Sequence, residues 1–130
     1  MSLVLVDSSV WIEFFRGSKN VDIEKFNTLI DNNQICINEL IISELFPSLI
    51  HKKEFKIVEL LKTVRTIPIK IDWNELIDYQ TINLKNGINN IGIPDLIIMQ
   101  NSLQNDLLLY SLDKHFQLLK KIHKCKLFTN

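Results

Sequence analysis

The stretch LVLVDSSVWIEFF, residues 3–15, ends an apolar run on a carboxylate, Asp7, and follows it with two hydroxyls. Three further acids stand in comparable surroundings: Glu44 inside ELIISELFPSLI, Asp95 directly after Gly92, Ile93 and Pro94, and Asp113 after LLLYSL. Carboxylates brought together repel, and one or more takes up a proton unless a cation neutralises them. Oxygen-only donors select hard cations, Mg²⁺ or Mn²⁺. Such an ion polarises a phosphate oxygen and lowers the pKa of a bound water, which is the equipment for hydrolysing a phosphodiester. Each acid also has an ordinary structural reading. Asp7 and Asp113 suit N-caps at strand-to-helix junctions, and Asp95 suits a first helical turn, where the dipole favours negative charge. Glu44 is harder to explain in that way, because it interrupts an apolar helical run where a charge is costly.

Whether the four acids meet depends on the elements that carry them. Residues 3–6 (LVLV) read as a strand covered on both faces. A helix follows at once, with Ser8 or Ser9 as cap and Gly17 as stop. A second helix over 21–33 and a buried strand QICI come next. Asn38 caps a helix that Pro47, lacking an amide proton, should kink or end. EFKIVELLKTV continues as helix, and RTIPIKI makes a third strand, placed near an edge by Pro68. A long helix runs from its cap Asp72 to Gly87, and Pro94 opens another at a first-turn position that tolerates proline. DLLLYS is a fourth strand, DKHFQLLKKIHK a helix and CKLFT a fifth strand.

Strands alternating with helices predict an α/β fold: a three-layer α/β/α sandwich with a central, mostly parallel five-stranded sheet. In open sheets of this kind ligands bind beyond the carboxyl ends of the strands, where strand order reverses. Asp7 and Asp113 sit at such ends. If the first and fourth strands are neighbours at the sheet centre, all four acids can converge on one cleft.

The chain has 130 residues, with 15 basic and 15 acidic side chains and a formal net charge of zero. That length suits one domain over residues 1–130 with a sizeable core. The balance disfavours a strongly basic nucleic-acid binder, so any RNA contact must come from local patches. The start lacks the basic n-region of a signal peptide, and no apolar stretch approaches the length that spans a bilayer. Cys36 and Cys125 lie in apolar strand-like runs without metal-ligand spacing. They read as buried free thiols in a reducing cytoplasm.

LVDSSVWIEFFRG, ISELFPSLI, GIPDLIIMQNS and LLLYSLDKHF together resemble the four sequence blocks of PIN-domain ribonucleases. The similarity is greatest to VapC, the toxin half of VapBC toxin–antitoxin pairs, and covers essentially the whole chain in order. It implies a PIN-like fold and a metal-dependent endoribonuclease, in which a metal-activated water attacks in line and leaves a 5′-phosphate. It further implies that Asp7, Glu44, Asp95 and Asp113 bind one or two Mg²⁺ or Mn²⁺ ions. Asp113 matches a position that varies between aspartate and asparagine. Ser9 and Ser111 match positions where a small hydroxyl orients carboxylates or waters. The implied substrate is RNA with a structured loop, such as a tRNA. The implied partners are a small DNA-binding, VapB-like antitoxin and a second copy of the chain, with no membrane.

The chain departs from that pattern at two places. His115 stands where the family often carries a further acid, and Gln100 and Asn101 replace small residues. His51, His115 and His123 all neighbour lysines and read as exposed. No histidine is placed near Asp7 to act as a base. Arg16 suits a phosphate or an antitoxin carboxylate near the cleft rim, or simply a surface ion pair with Glu13. HKKEFK and KKIHKCK are the densest basic runs, suited to phosphate contact or to plain solvated faces. Trp11, Phe14, Phe15 and Phe46 have core spacing, and any ring left exposed would anchor a partner. Two other phosphate-handling folds place an aspartate after the first strand. A haloacid dehalogenase-like phosphatase needs a second aspartate where Ser9 stands, and a response-regulator receiver needs an acidic pair ahead of the first helix. The alternative from another class is a catalytically silent PIN-like scaffold that binds RNA or protein.

Overall fold

The computed structural model describes residues 2–129. Three short apolar runs form the sheet centre: β1 (Val4–Val6), β2 (Ile35–Ile37) and β4 (Leu108–Tyr110), flanked by two-residue strands β3 (Arg65–Thr66) and β5 (Lys126–Leu127). Their order is β3-β2-β1-β4-β5, and every pairing is parallel. The sheet is thus wholly rather than mostly parallel. Consecutive strand residues point to opposite faces. Val4, Leu5 and Val6 are all at most 1% exposed, so both faces of β1 must be covered. The cover is α1 (Ser8–Arg16), α2 (Ile23–Asp31), α3 (Glu39–His51), α4 (Phe55–Lys62), α5 (Trp73–Lys85), α6 (Ile93–Gln104) and α7 (His115–His123).

The core is built on those helices' inner stripes. Trp11, Phe26, Ile41, Leu61, Leu96, Phe116 and Leu119 are almost fully buried against the sheet. The indole of Trp11 packs edge-on to Phe26 at 5.2 Å between ring centroids, and its Nε1 donates to the Val6 carbonyl at 3.1 Å. Phe14, Phe15 and Phe46 are half-buried against the same core, so none of the four aromatics stands free as an anchor. Cys36 and Cys125 are buried free thiols, and burial pushes the Cys36 thiol up to about 12.

Caps and stops follow local chemistry. Asn38 accepts the Ile41 amide at 2.9 Å, and Asp72 accepts that of Glu75 at 3.1 Å. Gly17 closes α1 at φ 68°, a left-handed conformation that glycine adopts without strain. Of the two outcomes expected at Pro47, ending the helix is excluded, and the expected length of the third strand is corrected. The helix α3 runs through Pro47 to His51. Pro47 and Ser43, whose carbonyl loses its ladder partner, are both exposed, so water can satisfy the orphaned group. The strand β3 is far shorter than RTIPIKI: Ile67 still donates to the Ile37 carbonyl at 2.8 Å, but Pro68 has no amide to continue the ladder.

Candidate metal centre

The strand β1 is the switch point of the sheet: the chain leaves it toward β2 on one side and returns as β4 on the other. At the carboxyl ends of this pair the Asp7 amide donates to the Tyr110 carbonyl at 2.9 Å, which draws Asp7 against the segment after β4. There Ser9 and Ser111 both donate to Asp7 Oδ2, at 3.0 and 2.8 Å, with their hydroxyls 3.3 Å apart. Ser9 Oγ in turn accepts the Leu112 amide, and Ser111 Oγ the Asp113 amide, each at 3.0 Å. The buried Asp7 carboxylate is therefore oriented by two hydroxyls, each fixed by a backbone amide, and Oδ1 is the oxygen the serines leave. Asp7 holds the N-cap position of α1 without a side-chain cap bond, and Ser9 serves Asp7 rather than the helix start.

Asp95, in the first turn of α6, and Asp113, two residues before α7, are half-buried and share a neighbour. His115 Nδ1 lies 3.0 Å from Asp95 Oδ2 and 3.4 Å from Asp113 Oδ1, while the His115 amide donates to Asp113 Oδ1 at 2.9 Å. One donor atom from each of these three residues lies within 4.8 Å of the other two. His115 is thus not the exposed surface histidine its lysine neighbours suggested. His123 is also drawn in, its Nε2 2.7 Å from Asn83 Oδ1 and its ring edge-on to Tyr79. In both cases the helical turn, not the adjacent lysine, decides which way the ring points.

Glu44 stands exposed on α3, so its place in an apolar run carries no burial of the whole side chain. Its carboxyl is nevertheless close enough to Asp7 and Asp95 to feel their charges. Partial desolvation, then the charges of Asp7 and Asp95, push it above the usual carboxylate range. Asp95 is pushed up by desolvation and by the charges of Asp113 and Asp7, against the opposing hydrogen bond from His115. Asp7, Glu44, Asp95 and Asp113 therefore share one electrostatic cluster. The tight group of donor atoms within it is Asp95, Asp113 and His115, with Asp7 and Glu44 set further back. Among the described residues no lysine or arginine forms an ion pair with any of the four acids. Arg16 instead pairs with Glu13 at 3.3 Å. A cluster of carboxylates in which Glu44 and Asp95 are raised by desolvation and then by like charge, with no lysine or arginine paired to it, fits a divalent cation.

Gln100 and Asn101 do not face the cleft. Buried in α6, Gln100 accepts the Asp72 amide at 3.2 Å and donates to the Asp72 carbonyl at 3.1 Å and to Glu75 at 2.9 Å. Asn101 accepts from Asn38 and donates to the Pro68 carbonyl, both at 3.0 Å. They tie α6 to the start of α5, to β2 and to the end of β3, setting the depth at which Asp95 is presented.

Comparison with known proteins agrees with this architecture. The family model described as the PIN domain matches residues 4–122, so the chain belongs to the PIN-domain family, whose members are typically nucleases. Among solved structures, VapBC2 from Rickettsia felis bound to a promoter DNA fragment superposes with a TM-score of 0.74 at 17% identity, covering 97% of each chain. FitAcB from Neisseria gonorrhoeae gives 0.75 at 16% identity, covering 98% of this chain and 97% of the other. VapBC-1 from nontypeable Haemophilus influenzae gives 0.68 at 20% identity, covering 97% and 96%. At such identities the likeness is one of fold. No curated protein compared with the chain matches it.

Proposed function

We propose that this chain is a divalent-metal-dependent endoribonuclease of the VapC toxin kind, acting as one unit in the cytoplasm. The observation that carries the reading is the grouping of Asp7, Glu44, Asp95 and Asp113 in one charge cluster at the β1/β4 switch point, with no lysine or arginine paired to them among the described residues and the His115 imidazole beside Asp95 and Asp113. Asp7, Asp95 and Asp113 would hold the ion, with Glu44 completing the acidic set. When bound, a divalent cation supplies Lewis acidity toward a phosphate oxygen and lowers the pKa of a water. The chain's residues do the rest. Ser9 and Ser111 keep Asp7 in one orientation, so little reorganisation is needed as the reaction proceeds. Glu44, exposed and with its pKa raised by desolvation and by Asp7 and Asp95, is a stronger base than an ordinary carboxylate and is suited to orient water, or accept a proton from it, on the open side of the cleft.

A protein partner fits beside the site. A groove of about 210 Å³ between α1, α3 and α4 is lined by Ile12, Phe15, Arg16, Glu44, Leu49 and Ile57, among others. An amphipathic segment of a small VapB-like antitoxin lying there would cover the apolar floor and bring a basic side chain to the acids. A second copy of the chain is the other partner in this reading, for which Trp73, Ile77 and Leu84 offer an exposed apolar row on α5.

The test is cleavage of structured RNA, including tRNA, by the purified chain with Mg²⁺ or Mn²⁺ and with a chelator. Chelator-sensitive internal cleavage that Asp95→Asn abolishes supports the reading. If neither metal promotes cleavage, and Asp7→Ala is as toxic as wild type in cells, the chain is a silent scaffold instead. Light scattering of the purified chain checks the dimer.

A further inference from the structure

His115 fills the place where a further acid was expected, and its ring is aimed at the cluster rather than at solvent. The Nδ1 atom lies 3.0 Å from Asp95 and 3.4 Å from Asp113, and the backbone of the same residue binds Asp113. Ionised carboxylates only accept, so a neutral ring can offer its one Nδ1 hydrogen well to a single oxygen of the pair. A cation at that point would satisfy both acids and the nitrogen together. The spread of donor atoms, within 4.8 Å, leaves room for one ion among them. The three side chains are each between a fifth and two-fifths exposed, which gives access to a hydrated ion.

We propose that His115 is itself a ligand of the ion, through Nδ1, making a mixed imidazole–carboxylate centre that prefers Mn²⁺ and later first-row ions to Mg²⁺. The inference rests on the metal-dependent reading above. Imidazole is a poor ligand for Mg²⁺, which favours oxygen and keeps its waters, and a better one for transition ions. On binding, the ion takes the place of the shared hydrogen, and the ring carries its proton on Nε2.

The experiment uses the full chain, stripped with chelator and titrated with Mn²⁺ and with Mg²⁺ by calorimetry, followed by pulsed electron paramagnetic resonance of the Mn²⁺ complex. Wild type is expected to show coupling to one imidazole ¹⁴N and a clear preference for Mn²⁺. His115→Asp, which keeps a ligand at the position, is expected to bind both ions, to lose the nitrogen coupling and to lower the Mn²⁺-to-Mg²⁺ affinity ratio about tenfold or more. Its thermal midpoint shows that it is folded. Mn²⁺ bound without nitrogen coupling, or an unchanged ratio in His115→Asp, overturns the proposal. If binding is then still lost in Asp95→Asn, the metal-dependent reading survives. Failure of wild type to bind Mn²⁺ at all overturns both.

Discussion

Two polar regions of this chain treat partly covered acidic groups in opposite ways. In the seam between α5 and α6, Glu75 Oε1 receives hydrogen bonds from Tyr79 at 2.8 Å and Gln100 at 2.9 Å, and Gln100 also ties both backbone groups of Asp72. At the β1/β4 rim, Glu44 and Asp95 are instead raised by desolvation and by one another's neighbours, with no lysine or arginine paired to them. Glu75, whose charge is met by donors inside the seam, belongs to the scaffold; Asp7 is held by donors too, but its charge also raises Glu44 and Asp95. Carboxylates that face each other across an open cleft weaken the fold on their own account, and such strain is the expected mark of a functional site.

The sharpest way to break this contrast is Asp95→Asn. RNA cleavage should fall about a hundredfold or more, while circular dichroism and the thermal midpoint stay at or above wild type, because a repelling charge is gone. A large loss of stability would move Asp95 into the scaffold class. The converse experiment is Gln100→Leu, of similar volume but without polar atoms. It leaves the Asp72 backbone groups without the Gln100 amide and takes one of two donors from Glu75, and should cost about 2–3 kcal/mol in urea denaturation. A neutral result would mean that water replaces the amide.

A smaller effect separates the regions by pH. Glu44→Gln should raise the melting midpoint at pH 7 by about 1–3 °C. A carboxyl whose folded pKa lies above its ordinary 4.5 destabilises the charged fold fully at neutral pH, and that cost disappears as pH falls through the folded value. The gap between variant and wild type should therefore close on acidification toward that ordinary value. Saturating Mn²⁺ should raise the wild-type midpoint at pH 7 by mass action.

The smallest expected change is at His123, which burial pushes below its ordinary 6.5. Here the unfolded chain takes up the proton first, so stability is full above that value and declines as pH falls below it. A shallow fall in the melting midpoint as pH drops below the ordinary 6.5 should flatten in His123→Gln. An identical slope in the variant would assign the fall to other groups.

Much of this was legible from local pattern. The apolar runs of β1, β2 and β4, the caps Asn38 and Asp72, and Pro94 at the start of α6 all follow from residue type and spacing, because a strand or helix end is decided by its own few residues. The family blocks likewise drew attention to Ser9 and Ser111, whose hydrogen bonds to Asp7 join residues as far as 104 positions apart. Less legible was the orientation of side chains that meet from different elements. His115 sits beside a lysine yet turns to Asp95, twenty residues away in sequence. Gln100 and Asn101 were equally compatible with facing the cleft or the interior, and only contacts 28 to 63 residues distant made them interior. Glu44 was overread, since an apolar run does not say that each of its positions is covered.

What the amino-acid sequence determined by itself was the set of elements and the presence of an acid at the ends that count, since hydrophobic period and turn chemistry act over a few residues. Whether those acids meet was left conditional on strand order. The β1–β4 ladder met the strand-order condition by pairing Tyr110 with Val6, which brings the Ser111 hydroxyl onto Asp7. The imidazole among the carboxylates was likewise a tertiary decision, because it depends on how α6 and α7 approach one another and on no pattern within either.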